Sequence, residues 1–246
     1  MNDIKERLLA VKSQIVKAAQ RCSRNPDEIT LVAVSKKKSA DTVIDAIKSG
    51  VDILGENYIQ EAVDKIEAIN QNYFAKHENN EKKIGINRDV IWHFIGHLQS
   101  NKAKVAVKYF DLIHTVDSLK LAREINRQAE KIGKIQNILI QINISEEETK
   151  SGVDADNTIE LASSIANLKF ISLRGLMGMP PFFDEPERAR PYFRRIAQIR
   201  DAIKNNNIDG ISMEHLSMGM SGDFEVAIEE GATMVRIGTS IFGSRA

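Results

Sequence analysis

The chain has 246 residues, and 34 Lys and Arg are balanced by 34 Asp and Glu. That length fits one α/β barrel of roughly 250 residues, and zero net charge excludes a general electrostatic pull toward nucleic acid or an anionic membrane. The lone cysteine, Cys22, excludes an intramolecular disulfide, and no apolar run approaches the ~20 residues of a membrane span.

Apolar residues at Ile4, Leu8, Val11, Ile15, Ala18 and Cys22 form a single helical stripe. Asn25-Pro26 ends it. Acids in this amphipathic segment are foreign to a secretory signal, so a soluble, cytoplasmic protein of a reducing compartment is expected. Short β-branched runs then begin at Ile29, Val51, Val90, Leu112, Asn137, Phe170, Ile211 and Met234. Helical patterns separate them: DTVIDAIKSG, ENYIQEAVDKIEAI, NKAKVAVKYF, SLKLAREINRQAEKIG, DNTIELASSIAN, PYFRRIAQIRDAIK and DFEVAIEEG. Eight runs with helices between them predict a (β/α)8 TIM barrel with an extra N-terminal helix, a single domain over residues 1–246. An open doubly wound sheet is the alternative, but no Gly-x-Gly-x-x-Gly follows the first run. Gly50, Gly133 and Gly231 read as helix C-caps and Ser221 as the N-cap of DFEVAIEEG. Asn70 to Asp89 is polar and aperiodic and reads as a surface insertion. Phe182 and Phe183 are expected to pack on the following helix. Arg188, Arg190, Arg194, Arg195 and Arg200 are expected to form its solvated face.

Barrel active sites lie at the C-terminal strand ends, where the first run ends in Ser35-Lys36-Lys37-Lys38. A lysine held at an apolar mouth has a lowered amine pKa and attacks aldehydes, the chemistry of a Schiff base. Alternation puts Lys36 and Lys38 on one face and Lys37 on the other, while a solvated lysine turn is the plainer alternative. The loops after runs seven and eight, Leu216 to Gly222 and Gly238 to Phe242, stand where barrels bind phosphate. Glycine admits an anion to the backbone, and Ser217 and Thr239 add hydroxyl donors. Arg236 shares a strand face with Met234 and Gly238, pointing into the mouth or pairing with Glu214. An aldehyde for Lys36, a phosphate for Ser217, Gly238 and Thr239, and a ring acceptor for Arg236 together sketch pyridoxal 5′-phosphate.

The segments VAVSK, GENYIQE, WHFIGHLQSNK, GLMGM and LSMGMSGDFEVAIEEGATMVRIGTSIFG together resemble the pyridoxal phosphate homeostasis proteins, and the resemblance runs nearly the whole chain. It implies a barrel similar to the N-terminal domain of alanine racemase. It also implies Lys36 as the Schiff-base lysine, Arg236 facing the pyridine nitrogen, and Ser217, Gly238 and Thr239 on the phosphate, with Asn57 lining the pocket. A donor such as Arg236 leaves that nitrogen unprotonated and weakens the electron sink. The second base that racemisation needs comes, in alanine racemase, from a β-rich domain that is expected to be absent after Ala246. A monomeric carrier or buffer of pyridoxal phosphate without catalysis is therefore expected. It would serve pyridoxal-dependent apoenzymes transiently, with Lys37, Lys38 and Lys134 as further lysines that could accept cofactor. The competing reading is a pyridoxal-dependent racemase or lyase with Tyr58, His93 or His97 as second base. A third is a metal or sugar-phosphate enzyme using His93, His97, His114 and His215, whose spacing matches no zinc motif.

Overall fold

The computed structural model describes residues 3–71, 90–145 and 151–243; most of the Asn70 to Asp89 insertion, and the last three residues, lie outside them. Eight short parallel strands form the centre: β1 (Thr30–Val34), β2 (Ile53–Glu56), β3 (Ile91–Phe94), β4 (Leu112–Val116), β5 (Gln136–Asn143), β6 (Ile171–Gly178), β7 (His215–Met220) and β8 (Met234–Ile237). Each pairs with its sequence neighbour. The pairing of β8 with β1, Val32 opposite Arg236, closes the ring as a TIM barrel. A two-residue strand, Val153–Asp154, adds to β5 outside the ring.

Side chains alternate along these strands and divide the apolar residues between two cores. Inside the barrel, Val32, Leu112, Leu139, Met177 and Met234 form a small plug. The intervening residues, among them Ala33, Ile113, Ile138, Ile140, Val235 and Ile237, face the helices. Burial on both faces is why the runs read as continuous apolar stretches.

The helices are α1 (Asp3–Arg21), α2 (Ala40–Lys48), α3 (Ile59–Ile69), α4 (Ala103–Tyr109), α5 (Leu119–Lys131), α6 (Thr158–Ala166), α7 (Arg190–Asn205), α8 (Phe224–Glu229) and α9 (Thr239–Phe242). Ser39 and Ser118 cap α2 and α5 through their side chains. Gly50, Gly133 and Gly231 adopt φ of 98°, 64° and 99° just past their helices, as C-caps require.

Two boundaries differ from the sequence expectation. The run from Ile211 becomes a strand only at His215 and continues to Met220. LSMGM, expected as a loop, is therefore strand, because Ser217 pairs with Met177 on one side and Met234 on the other. Gly219 permits this close packing, since a Cβ there would stand 2.6 Å from Ala227 Cβ. The N-cap of α8 is Asp223 rather than Ser221, and its Oδ1 accepts from Met220 N at 2.6 Å. Phe183 packs on Tyr192 of α7 with ring centroids 5.7 Å apart. Phe182, expected to pack as well, is 85% exposed.

Candidate functional site

β1 stops at Val34. Ser35 to Lys38 form a turn closed by Lys38 N donating to Ser35 O at 3.0 Å. Strand alternation therefore ends before the lysines, and the expected pairing of Lys36 with Lys38 on one strand face gives way to turn geometry. Lys36 is the first central residue of the turn and is half-buried. Lys37 is the second, with φ 61°. Lys38 Nζ donates to Phe242 O at 3.1 Å. Lys134 stands at the opposite end of the barrel, ahead of β5. Its ammonium donates to Val107 O and Phe110 O at 2.8 and 2.7 Å, and burial pulls its pKa below the usual lysine value.

Register brings the other expected groups to Lys36. Ala33 lies opposite Ile237, so the ends of β1 and β8 meet, and a Cβ at Gly238 would stand 3.4 Å from Val34 O. Thr239 opens α9 there, and the first amides of a helix have no partner within it. Val34 lies opposite Gly55, which places Asn57 beside the same rim. Asn57 Oδ1 is buried and has no hydrogen-bond partner among the described residues. Gly96 packs so closely on this loop that a Cβ would stand 2.0 Å from Asn57 O.

Arg236 points into the barrel and is buried. Its Nη1 donates to Ser217 Oγ at 2.6 Å and its Nη2 to Gly178 O at 3.1 Å. Glu214 pairs with Arg174 instead, and among the described residues no carboxylate lies within ion-pair distance of Arg236. Burial pulls the guanidinium down to about 10, opposed by the charge of Asp223. Ser217 is buried, and its Oγ lies 2.9 Å from His114 Nδ1. His114 Nε2 is 3.0 Å from His93 Nδ1. Burial, with the nearby His215, pulls His93 down to about 3. Burial, His93 and Arg236 pull His114 well below the usual histidine range. Both rings are neutral.

The structure thus gathers Lys36, Asn57, Gly238 and Thr239 at one rim, with Arg236 inside the barrel and Ser217 supporting it. Tyr58 stands on the rim, 52% exposed, and His97 Nδ1 is 3.5 Å from Ser151 Oγ. Among the described residues no three His, Cys, Asp or Glu side chains come together as metal ligands would, and no helix is long and apolar enough to cross a membrane.

Sequence reasoning missed the cluster behind the lysine turn. Lys65 Nζ meets Glu56 Oε1 at 2.5 Å and Glu61 Oε1 at 3.0 Å. Burial raises the Glu56 carboxyl, while Lys65 and Ser35 oppose the rise. A signal existed: Ala62, Lys65, Ile66 and Ile69 share the buried face of α3, and a lysine within an apolar stripe demands a partner.

Residues 7–246 match the family model for the alanine racemase N-terminal domain. The chain is 43% identical over its full length to the pyridoxal phosphate homeostasis protein of Escherichia coli K12, covering 98% of that protein. A structure from Bifidobacterium adolescentis superposes with a TM-score of 0.86 at 33% identity, over 97% of this chain and 94% of the other. PipY of Synechococcus elongatus PCC7942, solved with PLP bound, superposes with a TM-score of 0.79 at 30% identity, over 98% of this chain and 100% of PipY.

Proposed function

Since this chain belongs to the pyridoxal phosphate homeostasis protein family and carries the alanine racemase N-terminal domain, we propose that it binds pyridoxal 5′-phosphate through Lys36 and acts as a carrier or buffer for it. One observation carries this reading: the register of β1 on β8 sets the Lys36 turn beside the Gly238–Thr239 amides, with Arg236 inside the same barrel. The donor set fits the group. Lys36 offers an amine to an aldehyde, Thr239 and the first amides of α9 offer donors to a phosphate, and the buried Asn57 Oδ1 is an acceptor still to be satisfied.

When bound, the cofactor supplies an aldehyde and an electron-accepting ring. The residues of the chain set how that ring behaves. Arg236 can only donate hydrogen bonds; held by Ser217 Oγ and Gly178 O, it would face the ring nitrogen as a donor and leave it without a proton. Gly238 and Thr239 hold the phosphate end. Ser217, expected among the phosphate donors, also accepts from Arg236 Nη1. A ring without that proton stabilises substrate carbanions poorly, which favours storage over catalysis. We further propose that the bound cofactor is released to pyridoxal-dependent apoenzymes and that one domain over residues 1–246, acting as a monomer, suffices.

The test is a visible spectrum of the purified chain with added pyridoxal phosphate, followed by borohydride reduction and peptide mapping. A long-wavelength band with the label fixed on Lys36, both lost in Lys36→Ala, is the expected result. Absence of band and label refutes cofactor binding. Vigorous racemase or lyase turnover that disappears in Lys36→Ala refutes the carrier role.

A further inference from the structure

Both flanks of Lys36 are tied to one buried cluster. On the N-terminal side, Ser35 Oγ donates to Glu56 Oε1 at 2.6 Å, and Ser35 O accepts from Lys65 Nζ at 2.8 Å. On the C-terminal side, Lys37 N donates to Glu61 Oε1 at 2.5 Å. Lys65 joins the two halves through its contacts with both carboxylates. Its side chain is 4% exposed and that of Glu56 is fully buried.

The turn needs such a clamp. Lys37 has a positive φ, a backbone state that is strained for a side-chain-bearing residue and that turns of this kind normally assign to Gly or Asn. Strained backbone persists where its surroundings over-determine it, and Glu61 supplies that restraint at the amide of Lys37 itself. Stability alone does not explain the cluster, because a buried ion pair is often no better than an apolar packing of the same volume. Glu56 also accepts from both Ser35 and Lys65 on one oxygen, leaving Oε2 buried without a partner among the described residues. An arrangement that leaves a buried acceptor unsatisfied points to a geometric requirement.

We propose that Glu56, Glu61 and Lys65 are positioning residues for Lys36. They hold the Ser35–Lys38 turn in the one shape that presents the Lys36 amine at the barrel mouth and turns Lys37 away from it. The inference rests on the assignment of Lys36 made above. None of the three need touch the cofactor.

Glu61 is the residue to change, because it lies at the edge of the cluster, with 28% of its side chain exposed. The unmutated chain, Glu61→Ala and Glu61→Gln are each titrated with pyridoxal phosphate. The long-wavelength band is followed, and the borohydride-fixed label is mapped across Lys36, Lys37 and Lys38. Loss of a charge-assisted hydrogen bond predicts about tenfold weaker binding in Glu61→Ala, with part of the label moved from Lys36 onto its neighbours. Glu61→Gln keeps an oxygen for Lys37 N and is expected to restore both affinity and the preference for Lys36. Thermal melting of the three proteins is expected to differ little. Affinity and labelling in Glu61→Ala equal to those of the unmutated chain overturn the inference, as does an equal loss in both variants. No band in the unmutated chain removes the assignment of Lys36 itself, a failure that the spectrum shows before any variant is compared.

Discussion

At the scale of single residues, the barrel interior holds one hydrogen-bonded series that runs from Arg236 through Ser217 to two buried histidines. Arg236 donates to Ser217 Oγ, and a hydroxyl has one proton to pass on. Ser217 Oγ also lies 2.9 Å from His114 Nδ1, and His114 Nε2 lies 3.0 Å from His93 Nδ1, so the three side chains continue the series. Neither imidazole carries a charge beside the buried guanidinium. The consequence for stability has a definite sign. Burial, with the nearby His215, pulls His93 from its ordinary 6.5 down to about 3, so below 6.5 the unfolded chain binds a proton that the folded chain refuses. Its contribution is complete above pH 6.5 and is lost as the pH falls toward 3, at up to about 1.4 kcal/mol per pH unit; His114, lowered in the same direction, adds to the loss. Urea unfolding of the apo chain between pH 7 and pH 4 is expected to show stability falling with acid, and His93→Gln to flatten that fall. An equal slope in both would refute the assignment. Four histidines near strand ends were visible in the sequence; that His93 meets His114, and His114 meets Ser217, depends on inward-facing positions of β3, β4 and β7, which one-dimensional patterning does not align.

At the scale of elements, the site is built where short strands stop and loops cross at backbone distance. Gly96 shows how tight this is. It packs on Asn57, and its carbonyl accepts from Thr115 Oγ1 at 2.6 Å. A methyl at Gly96 would meet the Asn57 oxygen at 2.0 Å and its Cα at 2.7 Å, a clash with backbone that no rotamer relieves. Gly96→Ala is expected to cost about 1–3 kcal/mol and to weaken pyridoxal phosphate binding by shifting Asn57. Gly222, with nothing within 4 Å of its would-be Cβ, is the matched control, and Gly222→Ala is expected to leave unfolding and binding near their starting values. The helical stripes and the C-terminal glycines were legible because they are local chemistry, whereas the N-cap expected at Ser221 is Asp223. The end of β1 before the lysines and the extension of β7 through LSMGM were not legible, since a neighbouring strand and a packed helix decide where pairing stops.

At the scale of the molecule, α1 supplies what the barrel's end lacks. The helix after β8, α9, has only four residues. α1 packs against α8, α9 and α2, filling the helical layer where the ring would otherwise be open. Leu8, Val11 and Ile15 are its buried stripe. Arg24 Nη1 donates to Ile228 O and Ala232 O, both at 2.8 Å, tying the segment after α1 to the end of α8. Arg21 reaches Glu225 and Glu229, each at 2.8 Å. Burial rather than charge is expected to dominate this seam. Leu8→Ala should cost roughly 3 kcal/mol or more in urea unfolding, whereas Arg21→Ala, whose side chain is 49% exposed, should cost under about 1 kcal/mol. Comparable losses in the two variants would place the stability of the seam in its ion pairs instead.

The sequence by itself pointed to the eight alternating units, the N-terminal helix and Lys36, Gly238 and Thr239 at the strand ends; Asn57 came with the family resemblance, and Arg236 stayed open between the barrel mouth and Glu214. These follow from apolar periodicity, turn chemistry and motif, all of which are written locally. Only the tertiary structure decided that α1 completes the helical layer, that Ser217 Oγ accepts from Arg236, and that Glu56, Glu61 and Lys65 grip both flanks of Lys36. The physical reason is the same in each case. A buried polar group takes its partner from whatever strand or helix closure brings within about 3 Å, and barrel closure joins residues that stand up to 208 positions apart along the chain.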